Sequence, residues 1–125
     1  MSLIVENIHY ILYVTGALTM TMFLQAVAPV KMMERTYGSA PTDANGLMIA
    51  RHWGFMVGLS GLLLIAAGVH PEIRVPVLWF AIIGKAGYST MILMRMAELK
   101  GKPAIMNAVV DIVMIALFVI YLVAV

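Results

Sequence analysis

A permanent cation beside an imidazole, Arg51-His52, opens an apolar run that continues as Trp53-Gly54-Phe55-Met56-Val57-Gly58-Leu59-Ser60-Gly61. Other groups with usable chemistry interrupt other apolar runs: Gln25, Lys85 with Tyr88, and Asn107 with Asp111. A guanidinium or ammonium can hold an anionic or carbonyl group. An imidazole, phenol or carboxylate can orient that group or exchange a proton with it. On a helix, Asn107 and Asp111 share one face, and Lys85 and Tyr88 share another. An ion at the centre of a bilayer costs about 2.5–3.5 kcal/mol, so Lys85 and Asp111 are expected to face inward and be paired. Two uses of these residues stay open. One is a structural ion pair, Asp111 with Arg51 or Lys85, that fixes helix register. The other is a polar pocket in which Arg51 or Lys85 holds a ligand while His52, Tyr88 and Asp111 position it, with Gln25 and Asn107 at the same depth. Arg51 has a third outlet, reaching toward phosphate headgroups along its apolar stem.

These residues must be positioned by elements that lie in an apolar solvent. The chain has 125 residues, 63% of them apolar and 11% charged, and its mean hydropathy is +1.00. That composition lies far outside the range of soluble globular domains. A hydrocarbon layer about 30 Å thick needs roughly 20 apolar residues in a helix. Windows of that length run over residues 3–28, 46–69, 74–96 and 104–125. The expected fold is therefore all-α, an integral membrane bundle of four transmembrane helices forming a single domain over residues 1–125. The first window is expected to be a mature span, because the N-terminal residues lack the basic region and cleavage site of a signal peptide. Pro29 ends it. The segment from Lys31 to Asn45, with Gly38, Pro41, Thr42 and Asp43, reads as the long loop. His70-Pro71-Glu72-Ile73 is a tight turn that makes its flanking spans antiparallel neighbours.

Lys31, Arg35, Arg51, Arg95, Lys100 and Lys102 gather on the side of loops one and three, against Arg74 on the other. The excess of cations places loops one and three in the cytoplasm and both termini outside. The expected location is a bacterial inner (plasma) membrane. The net charge of +2 is too small and too scattered for a nucleic-acid partner. Expected partners are membrane lipids and either further copies of the chain or a larger membrane complex.

Ala50, Gly54, Gly58 and Gly61 form a small-residue stripe, which is expected to let spans two and three pack closely. Gly84 and Gly87, which flank Lys85, are expected to serve the same packing of spans two and three, with room for a flat ring beside Lys85 and Tyr88 as the open alternative. With no Cys, thiolate sites and disulfides are excluded. No metal is expected: His9 and His70 sit at the opposite end from His52, and the 12 Met residues read as apolar filler rather than a copper ladder. Phosphate loops, nucleophile elbows and zincin motifs are lacking.

The long first span ending near Pro29, the polar loop, Arg51 followed by Gly54, Gly58, Gly61 and Leu62-Leu63-Leu64, and Asp111 in the last span resemble the DoxX-like group of small four-helix membrane proteins. The resemblance covers nearly the whole length and implies a four-helix bundle. Its members range from subunits of quinone-linked oxidoreductases to uncharacterised proteins. The function expected is a non-catalytic binding protein or accessory subunit holding a quinone, lipid or other amphipathic molecule, with Arg51, His52, Lys85, Tyr88, Asp111, Gln25 and Asn107 as ligand-binding residues. A structural subunit, a small proton-coupled transporter or channel, and an enzyme using Lys85 or Tyr88 stand as alternatives.

Overall fold

The computed structural model describes residues 2–125 and contains, among them, only helices and their connections. Its elements are α1 (Ser2–Glu6), α2 (Ile8–Met20), α3 (Phe23–Val27), α4 (Pro29–Tyr37), α5 (Ala44–Val69), a 3-10 turn (Pro71–Ile73), α6 (Arg74–Met94), α7 (Met96–Leu99) and α8 (Pro103–Ala124). Four segments, Ile8–Val27, Ala44–Val69, Pro71–Met94 and Pro103–Ala124, are long and apolar enough to cross a membrane. At about 1.5 Å per residue the 26 residues of α5 extend about 39 Å, beyond a hydrocarbon layer.

The expected first span is not one helix. Asn7 turns its amide onto the Leu3 carbonyl at 2.9 Å and separates α1 from α2. Further along, Thr21 donates its hydroxyl to Leu18 at 2.6 Å, and the amides of Thr21, Met22, Leu24 and Gln25 each bond three residues back. That tightened turn separates α3 from α2.

The expected long loop also contains a helix. Pro29 stands at the start of α4, where its missing N–H costs nothing, and Gly38 closes it at φ 90°. The turn residues recognised in the sequence belong only to the second half of the connection. There Asp43 caps α5 by accepting from the Gly46 amide at 2.8 Å. At the other end of α5, Arg74 donates to the carbonyls of Ala67 at 2.7 Å and Gly68 at 2.9 Å, satisfying acceptors that the helix leaves open.

The helices pair as α2 and α3 on α5, and α6 on α8, with α5 and α6 joining the two halves. The glycine stripe serves the first pairing, not the expected one between spans two and three. A Cβ on Gly61 would stand 2.6 Å from the Gly16 carbonyl oxygen, and one on Gly58 would stand 2.6 Å from the Phe23 ring. A short turn makes spans two and three neighbours but does not decide which face each presents. The mutual approach of Gly16 and Gly61 draws span one against span two.

A large apolar core, including Ile8, Leu12, Leu64, Leu78, Met114 and Phe118, fills the half of the bundle near the termini. A smaller one, Ile92, Leu99, Ala104 and Ala108, fills the opposite half. The polar residues lie between them. Gly38 lies beneath the Lys102 side chain, so loops one and three occupy the same end.

Candidate functional site

The centre of the polar layer is Lys85, which α6 directs inward with Val77, Leu78, Ala81, Ser89 and Ile92 on its buried face. Its Nζ donates to Asp111 Oδ1 at 3.2 Å and to Thr19 Oγ1 at 3.0 Å. Thr19 in turn donates its own proton to the Thr15 carbonyl at 2.7 Å, which leaves its lone pairs directed at the ammonium. The side chains of Lys85 and Asp111 are 10% and 18% exposed. Of the two partners the sequence allowed for Asp111, the structure selects Lys85.

This pair stands in the wall of a cavity of about 380 Å³ to which all four long segments contribute. Span one supplies Leu18, Thr19 and Met22; α5 supplies Trp53, Met56 and Ser60; α6 supplies Phe80, Gly84 and Tyr88; α8 supplies Asn107, Val110 and Met114. Lys85, Asp111 and Thr19 meet in the wall, with Asn107 one turn from Asp111. Thr21, Ser60 and Tyr88 add further hydroxyls, and most of the remaining wall is apolar. Nothing lies within 4 Å of where a Cβ on Gly84 would be, so this glycine opens space instead of closing a helix contact.

A second, more open cavity of about 720 Å³ lies toward loop one and is lined by Gln25, Met33, Tyr37, Ala50 and Arg95, among others. Trp53 and Tyr88 line both cavities. Their rings stack at a centroid distance of 6.5 Å and 29°. The Tyr88 hydroxyl also shares a 3.0 Å hydrogen bond with that of Tyr37, carried by α4. Burial, followed by this hydrogen bond, pushes the Tyr37 phenol pKa well above its ordinary value, so Tyr37 keeps its proton.

The expected site residues thus divide. Lys85, Tyr88, Asn107 and Asp111 meet at the first cavity. Gln25 is buried and lines the second, where its amide donates to the Ala50 carbonyl at 2.9 Å. Arg51 is exposed and donates to the Ala26 carbonyl at 3.2 Å, so Gln25 and Arg51 cross-link spans one and two in both directions. His52 is exposed, and neither it nor Arg51 lines either cavity. At the other end His70 Nδ1 lies 3.5 Å from Glu72 Oε1, and the His9 ring packs on Tyr10. Among the described residues no three His, Asp or Glu side chains converge in a way that would hold a metal.

Thr19, Trp53 and Tyr37 were absent from the sequence-based site. Thr15 and Thr19, four apart on an apolar span, carried a usable signal: a shared polar stripe at the depth of Lys85. Tyr37 carried none, because its role depends on α4 folding back onto α5 and α8.

No protein-family model, curated protein or solved structure matches the chain.

Proposed function

We propose that the protein is an integral membrane binding protein or accessory subunit that holds an amphipathic molecule in the cavity beside Lys85 and Asp111. The carrying observation is that all four long segments contribute to one cavity whose only charged lining residues, Lys85 and Asp111, form one ion pair. Its volume of about 380 Å³ lies within the usual range of small-molecule sites, roughly 300–1,000 Å³. Gly84 and the Trp53–Tyr88 stack give it a flat boundary suited to a ring or a planar head. Leu18, Met56 and Phe80 line the cavity and are also exposed, so a hydrocarbon tail can leave it sideways between them, and exposed apolar side chains such as Ile83 and Val113 match a lipid surrounding. The cation-rich loops support a cytoplasmic position for the Tyr37 end and an inner-membrane location. The resemblance to the DoxX-like group makes a quinone the first molecule to try.

The test uses Trp53 as its own reporter. In a Trp79→Phe variant reconstituted in nanodiscs, decylubiquinone is titrated against the emission of Trp53. Saturable quenching that weakens at least roughly tenfold in Lys85→Met/Asp111→Leu supports the site. Quenching that rises linearly with quinone and ignores the double substitution is collisional and sinks the reading.

One observation favours a second reading. Lys85 already has two protein partners, and an ion pair so satisfied can serve to fix helix register with no ligand at all. That reading predicts no saturable quenching.

A further inference from the structure

The charges around the first cavity restrict what it can hold. We propose that its occupant is an apolar-tailed molecule with an uncharged head that presents a hydrogen-bond acceptor, with or without a donor beside it, as a quinone carbonyl or a carboxamide does. This rests on the binding reading above and narrows it to a ligand class.

Lys85 and Asp111 are the only charged residues that line the cavity. Span one brings the hydroxyls of Thr19 and Thr21 and no charge, and α5 brings Trp53 and Ser60 and no charge. From α6 come Lys85 and the phenol of Tyr88, and from α8 comes Asp111. Behind Tyr88 stands the Tyr37 hydroxyl of α4. The two formal charges cancel across 3.2 Å. The nearby cations are committed elsewhere: Arg51 to the Ala26 carbonyl, and Arg95 to Glu98 at 2.7 Å.

An added charge would find no counter-ion in this space. An anionic head that captured Lys85 would strand Asp111, and a cationic head that captured Asp111 would strand Lys85. Either leaves an unpaired ion away from water, the costliest arrangement of such a pair.

A neutral head meets no such penalty. An ammonium has three N–H groups, and Thr19 and Asp111 account for one each. The third can donate to a ligand carbonyl. Lys85 engages Asp111 through Oδ1. Among the described residues no donor reaches Oδ2, which can accept from a ligand N–H or O–H. The Asn107 amide on the same wall offers one group of each kind. Acceptor and donor on the head are therefore both answered without disturbing the ion pair.

The experiment compares three amphiphiles that differ only in the head: dodecanamide, dodecanoate and dodecylammonium. Each is loaded at equal membrane mole fraction into nanodiscs holding the protein, and retained adducts are counted by native mass spectrometry. The reference is Gly84→Leu, which adds a side chain to the cavity wall at a point where a Cβ meets no neighbour, or Lys85→Met/Asp111→Leu should that variant not fold. The expected result is retention of the amide roughly tenfold above both charged amphiphiles, lost in the reference variant. Retention of the carboxylate or ammonium equal to or above the amide, and lost in the reference, overturns the neutral-head inference while leaving a binding cavity in place. If none of the three exceeds the reference, the cavity does not bind amphiphiles and both readings fall. A carboxylate that enters together with a compensating proton is distinguished by pH, since its retention falls roughly tenfold per unit rise while that of the amide stays level.

Discussion

Lys85 is held in place by two neighbours with different roles. Thr19 supplies a lone pair, and Asp111 supplies the opposite charge. Removing the cation alone leaves a carboxylate in a poorly solvated wall, so Lys85→Met is expected to destabilise the protein by about 3 kcal/mol. Adding Asp111→Leu removes the stranded charge and should recover most of that loss. Thermal unfolding of both variants in detergent micelles checks this cycle. A Lys85→Met protein as stable as the parent would mean that the pair does not hold the fold. The sequence made this pair legible because ions in apolar runs have few affordable neighbours. It left the choice between Arg51 and Lys85 open, because both cations sit at plausible depths and only their helix faces separate them.

Among the elements, glycine has two opposite uses. Gly16 and Gly61 let the backbones of α2 and α5 touch, each blocking any side chain on the other. Gly84 and Gly87 face open space. Gly61→Val should therefore cost about 3 kcal/mol or prevent folding, because the atom it meets is backbone and cannot yield. Gly87→Ala should add about 0.5–1 kcal/mol by favouring helix. Thermal melts of the two variants separate these roles, and equal effects would contradict the pairing of α2 with α5. The stripe itself was visible in the sequence. Its partner was not, since four-residue spacing marks a face without naming what lies against it. The helix α4 was hidden for a related reason: its start and stop, Pro29 and Gly38, also read as the ends of a loop.

At the scale of the whole molecule, the arrangement of ends is a topological claim. Loops one and three share an end through Gly38 and Lys102. The termini and the His70–Ile73 turn belong to the other end, next to the larger core. The cation excess predicts that the first of these ends faces the cytoplasm. The chain has no Cys, so each introduced cysteine labels alone. In intact cells a membrane-impermeant maleimide is expected to modify Glu72→Cys and to spare Ser39→Cys and Lys100→Cys until the membrane is opened. The reverse pattern would show that loops one and three face outward.

Hydropathy by itself determined the helical class, the four long apolar segments and the presence of ions that must find partners. Those properties follow from transfer free energies and element length, which add residue by residue along the chain. Only the tertiary structure decided that Lys85 takes Asp111 and Thr19, that Arg51 and His52 stay outside both cavities, and that Tyr37 returns to meet Tyr88. Each of these depends on the rotation of one helix against another. Rotation is set by interlocking side chains from distant segments, such as Gly61 against Gly16, and no local pattern carries that information.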